Sequence, residues 1–457
     1  MAPTTTTTRL LDLPEIRTRI AGFLTIQECL ICMRVSRSWL MDFAGQVWST
    51  FDFDEAESFS KIPPDVVSKY GHLIHRVLNV HKEEHIMALQ HPNIVSLKAM
   101  VFLATHNKLS LILFHDLLGH HRKSLTALRA SGEMVASGTL EEQVKSGAYL
   151  TLDAIRPSCS LTRLFLDKVC ITRKAFSSIL QSSPSLQFLK LEDVVLLAYN
   201  PMLEHFRHTG LTTLDAARPQ IWGDSEDLLL DSQSLLVHFP SLKDWGIQKS
   251  VAGLSPEMLK KLKGGLLLDC PRLKSVRFCM TESDSIASYL DNVFHELESC
   301  TFVYASLNRT VLLSLLEHQA SLTSIFLTPT DTSVGPSTPD ELVYSKKIIG
   351  LLLKSCGSLQ VLSVEGHQMD VSFLEDETIA CMDLQELRVR FYGLDTAALV
   401  DGCLEAMLTR QKPDAGIVQG QNKNGQLVSE RVRYQLMRFK KLKTVWLGTR
   451  AYYLPTH

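Results

Sequence analysis

Along most of this chain apolar side chains return in one short cassette, L-x-x-L-x-L, with other apolar residues allowed at its three fixed places. It starts at Ile94, Leu125, Leu161, Leu186, Leu211, Leu242, Leu273, Leu297, Leu322, Leu359, Leu384 and Leu442. Four of the steps between starts are 25 residues and one is 24, while others are 31, 36 or 37, as expected where loops or helical turns are inserted. Within a cassette the fourth and sixth places alternate with the period of a strand. Between cassettes, residues 174–181, 285–294, 310–318 and 345–354 carry apolar residues three and four apart, the period of a helix. Strand then helix, repeated, predicts an α/β stack with a parallel sheet inside and helices outside.

A period of 20 to 29 residues is that of leucine-rich repeats. The place three residues past the last apolar position, where such repeats carry Asn or Cys, holds Val169, Val194, Pro219, Thr330 and His367, so the repeats are degenerate and show no asparagine ladder. Two polar, turn-rich segments interrupt them, 328–340 and 411–429, and both read as surface loops. The second lies in the longest gap, between Leu384 and Leu442, where it could fold over one end of a groove.

The stretch from Leu10 to Phe53 has a different rhythm, that of three short helices. Asp12 is a candidate N-cap for the first, Pro14 suits its opening turn and Glu15 faces the positive end of its dipole. Leu13, Ile16, Ile20, Phe23 and Leu24 recur at helical spacing. Thr25 with Glu28 reads as a capping box for a second helix, whose apolar face is Cys29, Leu30, Cys32 and Met33. A third helix, from about Ser36 to Val47, sets Trp39 and Phe43 one turn apart, and Trp48 closes the segment. About forty residues make a small core, so this unit should lean on a neighbour or a partner.

In these residues the segment resembles an F-box: the Leu13-Pro14 start, the isoleucine and leucine spacing of the first helix, Val35-Ser36 followed by Trp39, and the closing Trp48. The acidic residue comes one place early, at Glu15, and Cys29 stands where that family usually has leucine. The resemblance implies docking onto a Skp-type adaptor, and so onto a cullin-RING ubiquitin ligase. The adaptor-binding positions it implies are Leu13, Pro14, Ile20, Leu30, Val35, Ser36, Trp39 and Trp48. Head and body together resemble the F-box/leucine-rich-repeat proteins over nearly the whole chain. The expected organisation is a disordered lead (1–9), an all-α F-box-like head (10–53), a linker broken by Pro63-Pro64 (54–72) and an α/β leucine-rich-repeat solenoid, a horseshoe, over 73–457.

Composition narrows the classes further. The chain has 457 residues, and 45% hydrophobic content is ample for a core. With 47 basic residues against 49 acidic ones, nothing pulls it toward nucleic acid or an anionic membrane. Its ten cysteines are scattered, which reads as reduced thiols in a cytosolic or nuclear protein. The threonine-rich N-terminus lacks the apolar stretch of a signal peptide, and no run of about 18 apolar residues offers a membrane span.

If the fourth and sixth places of a cassette point inward, the third, fifth and seventh face a groove. That rule puts Arg163, Phe165, Phe188, Lys190, Arg277, Phe326, Arg388, Arg390 and Trp446 on the open face, as candidate contacts to a target protein. Several cations there could favour an acidic or phosphorylated segment. Enzyme motifs are weak beside this. His81-x-x-Glu84-His85 fits the inverted zinc-protease signature, but it abuts a strand and reaches Pro92 within seven residues. Cys29-x-x-Cys32 has no second half, and His115, His120 and His121 form no ligand pattern. No phosphate-cradling glycine motif or nucleophile elbow occurs. The sequence therefore reads as a non-catalytic substrate receptor without cofactor. The alternative is an interaction scaffold whose helical head caps the first repeat.

Overall fold

The computed structural model describes residues 13–54, 64–104, 111–132, 150–152, 160–197, 206–217, 220–222, 235–247, 256–279, 282–303, 308–328, 349–369, 371, 374, 379–391, 431–432, 434–447 and 450–453. The chain divides into two compact units, Met1–Thr212 with Arg218–Phe239, and Thr213–Ala217 with Pro240–His457.

The first unit opens with three helices, α1 (Pro14–Ala21), α2 (Ile26–Cys32) and α3 (Arg37–Ser49). There follow β1 (Thr50–Asp52), α4 (Pro64–Tyr70), a 3-10 turn (Gly71–Leu73), β2 (Arg76–Val80), α5 (Glu83–Leu89), β3 (Ala99–Ala104), α6 (Leu111–His120) and β4 (Ala127–Gly132). Then come β5 (Leu150–Leu152), β6 (Arg163–Asp167), β7 (Val169–Thr172), α7 (Arg173–Ser182), β8 (Phe188–Glu192) and β9 (Val195–Leu197). After β10 (Thr213–Ala217) of the second unit the chain returns as β11 (Gln220–Trp222) and a 3-10 turn (Leu235–His238). Strands β1, β2, β3, β4, β6 and β8 form a parallel ladder in that order, and β11, β9, β7 and β5 form a second one.

The second unit holds β10, β12 (Asp244–Ile247), α8 (Pro256–Asp269), β13 (Ser275–Phe278), α9 (Ser283–Asn292), β14 (Ser299–Val303), α10 (Arg309–Leu316) and β15 (Ser324–Thr328). It continues through helical residues 349–355 to β16 (Val361–Met369), β17 (Glu386–Phe391), β18 (Thr444–Leu447) and β19 (Arg450–Tyr453). All neighbours pair parallel except β18 with β19. The register aligns the fourth cassette places: Leu214, Trp245, Val276, Cys300, Ile325, Leu362, Leu387 and Val445 stand side by side, all buried. Each such fully buried side chain stabilises by about 2 kcal/mol before conformational entropy is set against it. In β6, β8 and β14 the fourth and sixth places are buried, while the third, fifth and seventh stay partly exposed. These strands therefore have a covered face and an open one. The fold is an α/β leucine-rich-repeat solenoid.

Hydrogen bonds across repeats come from residue types other than asparagine. At the second cassette place Thr126, Thr162, Thr212 and Thr323 donate their hydroxyls to the carbonyls of Lys98, Thr126, Gln187 and Glu298, at 2.8 to 3.1 Å. Just before the cassette, the buried rings of His121, His208, His238 and His318 reach the carbonyls of Leu89, Ser183, Phe206 and Leu290. These imidazoles satisfy carbonyls that would otherwise be orphaned in the interior.

The strands correct three sequence expectations. Met100 pairs with Leu128, so the cassette expected at Ile94 begins instead at Leu97, with Met100 and Phe102 at its fourth and sixth places. A further repeat starts at Ile74, where a register irregularity between Val77 and Val80 breaks the spacing. The first begins at Trp48: Phe51 aligns with Val77, and Phe51 and Phe53 are buried. Strand β1 thus lies inside the stretch read as helical head, ahead of the stretch read as linker. The polar segments 329–340 and 411–429, and the lead 1–9, lie outside the described residues.

Candidate functional site

The head packs on Ala21, Cys29 and Phe43, with Ile20, Leu24, Cys32, Met33, Trp39 and Val47 against them. Thr25 and Glu28 form the expected capping box, and the Ser36 hydroxyl accepts from the Trp39 N–H at 3.3 Å to start α3. Cys29 is fully buried, its thiol 3.7 Å from the Ala21 carbonyl. A pair the sequence reading did not anticipate, Arg17 with Asp42 at 2.5 Å, ties α1 to α3, and Arg17 is only 5% exposed.

Around this core the head exposes large apolar side chains. Leu13, Phe23, Ile26, Leu30, Ile31, Val35 and Met41 are exposed, Phe23 to 90%. Of the residues expected to meet an adaptor, Leu13, Pro14, Leu30, Val35 and Ser36 are on the surface. Ile20 and Trp39 are partly buried against the core, Trp39 stacked on Phe43 at 5.3 Å. Trp48, partly buried, stacks on Tyr70 of α4 at 5.3 Å. Phe23 belonged to the apolar series expected of the first helix but not to the expected adaptor contacts, and Ile26, Ile31 and Met41 carried no expectation.

On the open sheet face of the first unit, Phe165 and Phe188 meet at 5.0 Å, Arg163 is exposed, and Lys190 pairs with Glu192 at 2.8 Å. Asp167 accepts from the Ser131 hydroxyl at 2.8 Å and lies 3.7 Å from Arg129, which the sequence reading passed over. In the second unit Arg277 reaches back two strands to Asp215, at 3.3 Å. Gly246, at the fifth place of the strand between them, makes this possible, because a Cβ there would sit 2.5 Å from Asp215 Oδ1. Asp244, bonded by the Ser275 hydroxyl, is held above the usual carboxylate range by burial, with Arg277 and Ser275 opposing and Asp215 adding to the rise. Phe326 is partly exposed, and Arg388 bonds Glu386 at 2.5 Å. The backbone aligns Arg390 with Gln368 and Trp446 with Arg388, while their side chains lie outside the described ones.

The enzyme motifs resolve into packing. The His81 and His85 rings meet edge to face at 4.7 Å, and Phe53 stacks on His85 at 3.8 Å. His85 Nδ1 accepts from the His81 N–H at 3.4 Å, and burial pulls the imidazole down to about 4. His121 is likewise pulled to about 4 by burial. Burial pushes the thiols of Cys270, Cys356 and Cys381 up to about 12, far from a thiolate nucleophile at neutral pH. Among the described residues no group of three His, Cys, Asp or Glu side chains could hold a metal ion. No helix of the described residues is long and apolar enough to cross a membrane.

No protein-family model matches the chain, and no curated protein does. Several solved structures are similar to it. An internalin (InlF) from Listeria monocytogenes shares 14% identity, with a TM-score of 0.30, over 72% of this chain and 68% of its own. A chain of the yeast Rad7 and Elc1 complex shares 13%, with a TM-score of 0.34, over 83% of this chain and 87% of its own. The LRR ectodomain of the plant membrane receptor kinase GASSHO1/SCHENGEN3 from Arabidopsis thaliana, in complex with CASPARIAN STRIP INTEGRITY FACTOR 2, shares 12%, with a TM-score of 0.26. It is covered over 42% of its length, and this chain over 76%.

Proposed function

We propose that this protein is a non-catalytic substrate receptor of a cullin-RING ubiquitin ligase, acting in the cytosol or nucleus. Its F-box-like head takes a Skp-type adaptor, its open sheet face takes a target protein, and the transfer chemistry belongs to other subunits. The observation that carries the reading is the apolar surface of the head. Seven large apolar side chains stand exposed on the three short helices and their turns, against four small or aromatic ones, Ala21, Cys29, Phe43 and Ala44, that are fully buried. Such a patch on so small a unit calls for a partner.

The test is co-purification with a Skp-type adaptor. Leu30→Asp and Val35→Asp place charges where the side chains are 43% and 63% exposed, so the fold should survive them. Each is expected to reduce adaptor capture at least tenfold, as for a charge buried without a partner in an interface. Undiminished capture by the double variant would end the ligase reading.

A second reading, in which the head serves to cap the solenoid, has its own support. Helix α3 runs into β1 without a break, β1 pairs with β2, and Trp48 seals against Tyr70. Leu30 and Val35 take no part in these capping contacts. The point variants therefore separate the two readings, whereas deleting residues 1–57 would remove β1 under either.

A further inference from the structure

Cations were expected to give the open face an affinity for anions, yet most of those described are compensated within the sheet. Arg277 faces Asp215, Lys190 faces Glu192 and Arg388 faces Glu386. Uncompensated cations gather instead at one end of the second unit's strands. Residues lining a cavity of about 440 Å³ there include Lys243, Arg272, Lys274, Glu298, Ser299 and Thr323. Lys243, Lys274, Glu298 and Thr323 each hold the second place of a cassette, so the parallel register brings them into one row. Lys274 Nζ lies 2.5 Å from Glu298 Oε1, which neutralises both. Thr323 spends its hydroxyl proton on the Glu298 carbonyl. Lys243 and Arg272, both exposed, have no carboxylate partner among the described residues, and the Ser299 hydroxyl has no bond there. What remains is two free positive charges and a free hydroxyl around one cavity.

We infer that this cavity binds the phosphate of a phosphorylated serine or threonine in a protein segment lying against the open face. A phosphomonoester carries about −1.5 to −2 charges at neutral pH, which matches two uncompensated cations, whereas a carboxylate would leave one of them unbalanced. The Arg272 guanidinium can take two phosphate oxygens at once, Lys243 supplies a point charge and Ser299 a neutral donor. A nucleic acid fits less well, because several successive phosphates must be neutralised for useful affinity. Beyond the cavity the row continues with Gln360 and Gln385, which bond each other at 3.3 Å. The inference deepens the receptor reading, on which the choice of a protein segment rests.

The test uses the full chain and a fluorescein-labelled degenerate library of phosphoserine and phosphothreonine peptides, with a phosphatase-treated copy, followed by fluorescence anisotropy. The phosphorylated library should bind and the treated copy should not, and inorganic phosphate should compete. Lys243→Glu and Arg272→Glu should each weaken binding about tenfold or more, with unchanged circular dichroism. Arg272→Lys should retain part of the affinity, and Lys123→Glu, an exposed lysine of the first unit, all of it. Equal binding of the two libraries, no effect of either reversal, or preference for a random single-stranded oligonucleotide overturns the inference. Adaptor capture measured on the same preparations keeps the two readings apart. Phosphopeptide binding without adaptor capture refutes the ligase role alone, and adaptor capture without phosphopeptide binding refutes this site alone.

Discussion

Lys168 and Asp193 occupy the same place two cassettes running, two residues past the sixth position, with φ of 52° and 49°. There the chain leaves the first ladder of its unit for the second, and the Lys168 N–H donates to the Glu192 carbonyl at 2.8 Å to fix the corner. Aspartate tolerates the left-handed region, while lysine gains nothing from it. Lys168→Gly should therefore stabilise the protein by about 0.5–1 kcal/mol, read as a higher midpoint in urea at unchanged m-value. Such corners were hidden in the sequence because their signal is a backbone angle. The threonine after each leading leucine, by contrast, was in plain view as Leu-Thr at four cassette starts. It went unread because the expected ladder was asparagine, several places further on. The groove cations were legible by position but their neutralisation was not, since Asp215 comes 62 residues before Arg277 and only the sheet brings them together.

At the scale of elements, the long regular parts were readable and the short ones were not. Helices α7, α9 and α10 follow the three-and-four spacing expected of them, and the aligned fourth places made the parallel sheet legible from leucine positions alone. Strand β1 has three residues, too few to display alternation, and it follows a thirteen-residue helix directly. Its presence changes what a truncation does. A protein beginning at residue 64 lacks Phe51 and Phe53, which are 5% and 6% exposed, and bares the edge of β2. Removing even one buried phenylalanine costs about 3–5 kcal/mol, a large part of a typical stability. The truncated protein should lose cooperative unfolding of its first unit by circular dichroism, while the Leu30→Asp and Val35→Asp variants keep the parent transition. An unchanged transition in the truncated protein would mean that β1 adds nothing to the sheet.

For the molecule as a whole, apolar rows supply the stability and buried imidazoles set where acid attacks it. His85 and His121 both belong to the first unit, and burial holds each near 4 when folded, against 6.5 for the free group. Above pH 6.5 neither the folded nor the unfolded chain protonates these rings, so they leave stability independent of pH. Between 6.5 and about 4 the unfolded chain takes up protons that the folded one refuses. Stability therefore falls with pH across that window and levels off below it. Each unit of difference is worth about 1.4 kcal/mol, so the two rings together should remove a few kcal/mol by pH 4.5. Hydrogen exchange at pH 7 and pH 5, corrected for intrinsic rates, should show protection falling first in the first unit, around β1 to β4, where Phe53 stacks on His85 and His121 holds the Leu89 carbonyl. Replacing both histidines by glutamine, which cannot titrate there, should flatten the pH dependence of that unit even if it lowers overall stability. A pH response that survives the double replacement would assign the acid sensitivity to other groups.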